Sequence, residues 1–373
     1  MAIGLNVIAR YASQVALYPC SAGKTFVTTY CRRTLFNVPL LTLNSYILSK
    51  QREVKEATGE FTQLILAIQT AIKEISDSIR KAGIIRLYGL EGSENVHGER
   101  KQKLDVFAND LFVSMCIDSY ATCLIVSEEL EEPAITPIGK RGKYIMCFDP
   151  LDGSSNIECL APIGSIFGIY KKSTQGEPTD IDALQKGNMA VAAGYAMYSG
   201  CTALVLGIGQ GVNGFTLNAS VGEFYLCDPN MKIPQASETY SINEGYTANW
   251  DDAIQEFVMR KKNPKQKKVY SCRYIGTLIA DAHRILKHGG IFLYPQTKEH
   301  PTGKLKLLFK CNPLAFIMEH AGGTASNGKS PILDIVPEKQ SQKSPFYVGC
   351  HSEMTSLLQI IASHRRHGPK GQI

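Results

Sequence analysis

Cysteine pairing is the first thing missing. The 11 cysteines are odd in number and scattered over 373 residues, and no two are spaced as C-x-x-C. That argues against a disulfide framework and reads as reduced, mostly buried thiols in an intracellular compartment. No internal repeat or low-complexity segment occurs, aromatics are ordinary, and Trp250 is the single tryptophan. Neither a fibre nor a disordered chain has that composition. With 44% hydrophobic residues the chain can fill one large core or two moderate ones.

Acid is missing from the start. Residues 1–52 hold no Asp or Glu but carry Arg10, Lys24, Arg32, Arg33, Lys50 and Arg52. Those six account for the whole net charge of +6, because the remaining 34 basic residues balance 34 acidic ones. The body is electroneutral and lacks the field that drives phosphate-backbone binding, so no nucleic-acid partner is expected. The start is rich in Arg, Ser and Thr, and residues 3–10 can form a helix with an apolar face. That is the composition of an organellar transit peptide, with a divergent, disordered start as the other reading.

Charge of either sign is missing from 187–222, a stretch long enough to raise the question of a membrane span. Gly194, Gly200, Gly207, Gly209, Gly211 and Gly214 interrupt it, with Asn213 and Asn218 between them. Successive buried strands with turns suit it better than a lipid-facing helix, so no membrane partner is expected.

Periodicity supplies the frame. Leu64, Ile68, Ile72, Ile75 and Ile79 predict a helix over 62–82, stopped by Gly83 and preceded by Thr58-Gly59-Glu60 as a cap. Residues 89–103 read as a loop, and 104–120 as a second helix. Strands are expected at 123–126 and 144–148, then at 163–170, 189–197, 202–208, 213–218 and 222–227. Asp-Pro and Ile-Pro around 228–240 mark a boundary. Beyond it come helices near 250–261, 276–288 and 312–321 and a strand at 290–294. The alternation on both sides gives an α/β architecture of two domains, 37–232 and 233–362. An extension, 1–36, precedes them, and a basic tail, 363–373, follows.

Two of these strands end in acids, Glu128 and Glu129 on one, Asp149 and Asp152 on the other. Ligands gather at the carboxyl ends of strands in α/β sheets. If the strands are neighbours, four carboxylates converge, and unpaired they would repel. A hard divalent cation resolves that, and oxygen ligands without nearby His or Cys suit Mg²⁺ or Mn²⁺. Pro150 stiffens the turn, so that Asp149, the Leu151 carbonyl and Asp152 can face one ion. Gly153, Ser154 and Ser155 then offer backbone N–H groups to a phosphate. Asp, Gly and Ser are also common in caps and turns; the doubled strand-end acids favour the metal-dependent phosphate site.

The motif Ser127-Glu128-Glu129, followed by Phe148-Asp149-Pro150-Leu151-Asp152-Gly153-Ser154-Ser155-Asn156, resembles the Mg²⁺-dependent, lithium-sensitive sugar and inositol phosphatase superfamily. Within it the chain is similar to the class 1 fructose-1,6-bisphosphatases from about residue 40 to about 360. Further matches are Thr58-Gly59-Glu60, Lys103-Leu104-Asp105-Val106, the Asn243-Glu244-Gly245-Tyr246 run, Arg273-Tyr274, Tyr294-Pro295 and Gly303-Lys304-Leu305. The resemblance implies a layered α-β-α-β-α fold, an Mg²⁺-dependent activity and a cytoplasmic homotetramer. The implied reaction, a step of gluconeogenesis, removes the 1-phosphate of fructose 1,6-bisphosphate to leave fructose 6-phosphate. It implies metal ligands at Glu128, Asp149, Leu151 and Asp152, and catalytic acids at Asp105, Glu129 and Glu99, the last in a mobile loop. It implies a 6-phosphate pocket of Asn243, Tyr246, Tyr274, Tyr294 and Lys304, with Lys306 and a neighbouring subunit's Arg273 also on the substrate. An inhibitory AMP site is implied at Thr58, Gly59, Glu60, Phe61 and Thr62, with Lys143, Tyr144 and Lys171.

Three positions depart from the family pattern. Glu99 stands for an aspartate, Lys171 for an arginine, and Lys310 for a metal-binding glutamate. The last changes the local charge by two units, and Lys310 either turns away or takes the place of one cation. The other reading of the chain is accordingly a weak or silent relative that binds sugar phosphates or joins an active paralogue.

Overall fold

The computed structural model describes residues 41–82, 90–94, 100–209, 211–264 and 269–367. The N-terminal extension and Glu99 lie outside the described residues. β1 (Leu90–Glu94) and β2 (Arg100–Gln102) pair antiparallel, which corrects the loop expected across 89–103. Both sequences are polar and carry no alternation, so no pattern announces them as strands.

One sheet is built from β3 (Thr122–Ser127), β4 (Ala134–Ile135), β5 (Tyr144–Asp152), β6 (Ile163–Lys171), β7 (Ala192–Tyr198), β8 (Thr202–Ile208), β9 (Gly211–Asn218) and β10 (Glu223–Asp228). Its order is β10-β9-β8-β7-β6-β5-β3-β4, antiparallel throughout except for the parallel pair β3 and β5. The charge-free stretch thus becomes three antiparallel strands, and no described helix is long and apolar enough to cross a membrane. A Cβ on Gly194 of β7 would lie 2.4 Å from the Phe167 ring, so only glycine lets these strands close over that side chain.

Helices Glu60–Lys81 and Lys103–Asp118 cover one face of this sheet, burying Leu64, Ile68, Ile72, Ile75 and Phe112 against Phe148, Phe167 and Phe215. The first helix is capped by Gly59 at φ +89° with no side-chain cap, so Thr58 does not serve there. Helices Leu278–His288 and Asn312–His320 cover the other face, where Ile166, Tyr195 and Val205 meet Ile279, Ile285, Leu314 and Ile317.

Those helices also floor a second sheet. Its strands are β11 (Thr239–Ser241), β12 (Ser271–Cys272), β13 (Ile291–Tyr294), β15 (Thr324–Ser326) and β17 (Phe346–Gly349), in the order β12-β11-β13-β17-β15. β14 (Leu305–Lys306) and β16 (Lys343–Ser344) pair separately. Along β13 and β17 the side chains alternate as the pleat requires. Phe292, Phe346 and Val348 face the middle helices, whereas Ile291, Leu293 and Tyr347 face helices Asp252–Lys262 and His351–His367. The layers run α-β-α-β-α. The last helix continues to His367, inside the segment set apart as a basic tail.

Candidate active site

The parallel pairing of β3 with β5 sets Ser127 opposite Phe148, and the Glu128 N–H donates to the Phe148 carbonyl at 3.1 Å. Glu128 and Asp149 therefore leave neighbouring strands at the same carboxyl end, as the sequence predicts. Glu128, Asp149 and Asp152 are 6%, 4% and 5% exposed. Asp149 Oδ1 accepts the Leu151 N–H at 3.1 Å, and Asp152 Oδ2 accepts the Ile279 N–H at 3.3 Å. Asp105 is buried in the first turn of its helix, and half-buried Glu129 follows Glu128.

Lys310 turns inward. It belongs to a wide turn, Leu307–Cys311, closed by the Asn312 N–H on the Leu307 carbonyl five residues back. Leu308 and Phe309 anchor in the small core of β3 and β5, and Leu307 and Cys311 in the central core. The one polar side chain of the turn is left facing the strand ends. Its Nζ lies 2.8 Å from Asp149 Oδ2, 3.1 Å from Asp152 Oδ1 and 3.2 Å from Glu128 Oε2. Burial opposes charge on the lysine, but the three carboxylates outweigh it and hold the ammonium well above the ordinary lysine pKa. Burial also pushes Glu128 upward and Asp149 to about 7, against the pull of Lys310.

The oxygen donors have the chemistry for a hard divalent cation. The point among these three carboxylates does not fit one, because Lys310 Nζ occupies it and Mg²⁺ requires oxygens at about 2.0–2.1 Å. Among the described residues no group of three or more His, Cys, Asp or Glu is disposed to hold a metal. Lys306 is also buried close by, its charge lowering the Glu128 pKa.

Gly153 follows at φ +80°, and Ser154–Asn156 form one tight turn. A Cβ on Gly153 would lie 2.9 Å from Thr277 Cγ2. The chain around Thr277 joins this turn to a second pocket lined by Ile242, Asn243, Tyr246, Trp250, Tyr294, Pro295, Thr297, His300 and Lys304. Tyr274 hydrogen-bonds Asn243 beside Tyr246 and Tyr294, and burial pushes its phenol to about 12. Three residues later Thr277 touches Gly153, and Ile279 then reaches Asp152. Buried Asp281 fixes this connection, accepting from Ser241 Oγ at 2.8 Å and from the Ile275 and Gly276 N–H groups at 3.1 Å. The structure thus brings together Asn243, Tyr246, Tyr274, Tyr294 and Lys304. Arg273 is exposed and does not line this pocket. Sequence reasoning missed Trp250, Thr297, His300 and Thr277; the one available signal was that 295–303 joins two residues already assigned to the pocket.

Away from the acids, Lys143 Nζ donates to Thr58 Oγ1 at 2.9 Å and pairs with Glu60. Phe61 meets Tyr144 edge-on at 5.9 Å, and Lys171 lies opposite Tyr144 across β5 and β6. Thr62 Oγ1 donates to Gln51 at 2.5 Å, and Gly59 caps the helix.

Buried acids at a parallel strand end, a glycine turn beside them and a lysine–tyrosine pocket one short connection away mark an α/β protein of the sugar-phosphatase class. Comparison with known proteins narrows this. Residues 41–229 match the family model "Fructose-1-6-bisphosphatase, N-terminal domain", and 233–362 match the corresponding C-terminal domain. Fructose-1,6-bisphosphatase 1 of Bos taurus is 49% identical over 88% of this chain and 97% of its own length. A cytosolic fructose-1,6-bisphosphatase of Arabidopsis thaliana is 45% identical over 88% and 96%. The crystal structure of Leishmania major fructose-1,6-bisphosphatase in holo form superposes with a TM-score of 0.82 at 39% identity, covering 86% of this chain and 99% of that one. The chain belongs to the fructose-1,6-bisphosphatase family.

Proposed function

We propose that this chain hydrolyses fructose 1,6-bisphosphate at C1, giving fructose 6-phosphate and inorganic phosphate. The observation that carries the reading is the connection Tyr274–Ile279, which serves both anion-binding regions. Tyr274 and Thr277 are at most about 11 Å apart along an extended backbone, the length scale of a hexose with a phosphate at each end.

In this reading Asn243, Tyr246, Tyr274, Tyr294 and Lys304 bind the 6-phosphate, the Lys as counter-charge and the phenols and amide as orienting groups. The backbone from Gly153 to Ser155 orients the 1-phosphate, with Lys306 adding positive charge. Asp105 and Glu129 take the proton of the attacking water, assisted by Glu99. Of the chain's groups, Glu128, Asp149, the Leu151 carbonyl and Asp152 would supply the oxygens for Mg²⁺ or Mn²⁺. The family uses a divalent ion, which when bound supplies Lewis-acid polarisation of the phosphoryl group.

Exposed Arg273 would serve the pocket of a second copy, as a homotetramer allows. AMP would bind at Thr58–Thr62 with Lys143, Tyr144 and Lys171, displacing the Lys143–Glu60 pair. The cytosolic Arabidopsis relative supports a cytoplasmic location. The test is phosphate release from fructose 1,6-bisphosphate by purified full chain with Mg²⁺. Asp149→Ala should abolish it, and release unchanged by that substitution would reject the site.

A further inference from the structure

We propose that the Lys310 ammonium is a built-in cation that replaces one divalent ion, so that this chain binds one ion fewer per protomer than the same fold without that lysine. The proposal rests on the phosphatase reading only for the kind of ion displaced; the geometry is independent of it. Lys310 Nζ lies within 3.2 Å of three buried carboxylates, so its charge already offsets part of theirs. A divalent ion at the same centre would meet Nζ inside its coordination sphere.

The lysine cannot readily leave. Leu308 and Phe309 on its N-terminal side and Cys311 on the other are locked into two different cores. Its side chain is 14% exposed, and moving it to water would strand three buried carboxylates. An ammonium differs from a metal in what it provides. It carries three N–H donors at fixed charge, here hydrogen-bonded to Asp152 Oδ1 and ion-paired with Asp149 and Glu128, and leaves no open coordination position for a substrate oxygen. Lys310 therefore balances charge and holds Glu128, Asp149 and Asp152 in place without joining the substrate's coordination.

The experiment compares full-length wild type, Lys310→Met and Lys310→Glu, each stripped of metal and titrated with Mn²⁺, with free ion followed by electron paramagnetic resonance. Both variants should bind one more Mn²⁺ per protomer than wild type. Stripped Lys310→Met should melt roughly 5–15 °C below wild type and recover with Mn²⁺, because its carboxylates then lack a counter-charge. Equal stoichiometry in all three proteins would overturn the proposal. Should the variants fail to fold, Mn²⁺-soaked wild-type crystals decide by anomalous diffraction. The proposal requires no manganese peak among Glu128, Asp149 and Asp152 at the Nζ position, and a peak there overturns it. No readout involves substrate or turnover, so a chain that failed to hydrolyse the bisphosphate would leave this result standing.

Discussion

Replacing Gly153 with alanine tests whether the glycine turn and the helix beside it act as one unit. At φ +80° an L-residue costs roughly 1–2 kcal/mol. The new Cβ would also stand 2.9 Å from Thr277 Cγ2 and 3.3 Å from Thr277 Cβ. Thr277 is 1% exposed and cannot swing into solvent. Overpacking of this kind costs about 1–3 kcal/mol, so the variant should lose about 2–5 kcal/mol in all. Thr277→Ser removes Cγ2 and keeps the hydroxyl, which relieves the contact but not the backbone strain. Urea unfolding of the four proteins of this cycle should show the second change recovering about 1–3 kcal/mol in the alanine background only. Turnover should follow, with Gly153→Ala lowering kcat up to about 100-fold, because the displaced turn orients the reacting phosphate. A cycle with no coupling would refute the contact. Undiminished kcat in a folded Gly153→Ala protein would refute the role of the turn.

Lys304→Ala should raise KM for the bisphosphate by roughly 5–30-fold with little change in kcat, since an exposed charge-assisted contact is lost away from the acids; initial-rate kinetics check this, and an equal fall in kcat would move Lys304 to the reacting end. Burial, with Asp334 nearby, raises the Glu319 pKa to about 7, although the Ala325 N–H opposes it. A carboxyl protonated more readily when folded than unfolded stabilises the fold fully below its unfolded pKa, and that contribution is lost as pH rises through about 7. Melting temperatures from pH 5 to 8 should therefore fall less steeply for Glu319→Gln than for wild type, and parallel profiles would reject the shift.

The sequence was most legible where one face repeats. Ile68, Ile72 and Ile75 announce their helix because the sheet buries them all. The acids were legible because each ends a buried run, and the parallel pairing of β3 and β5 then brings Glu128 and Asp149 together. Pairings such as β14 with β16 span two residues, too short for a period to register, and their register comes from distant chain. Lys310 was flagged by residue type, but its direction was not readable, because it follows from the five-residue turn and the cores on either side. Thr277 and His300 matter through contacts whose partners lie far off in sequence or across a loop.

The most direct test of the central claim is ³¹P NMR of fructose 1,6-bisphosphate incubated with the full chain and Mg²⁺. The account predicts loss of the 1-phosphate resonance and growth of inorganic phosphate, with the 6-phosphate signal retained on the product. It also predicts that this conversion stops in Asp149→Ala. Retention of both ester resonances, or loss of the 6-phosphate first, would contradict it.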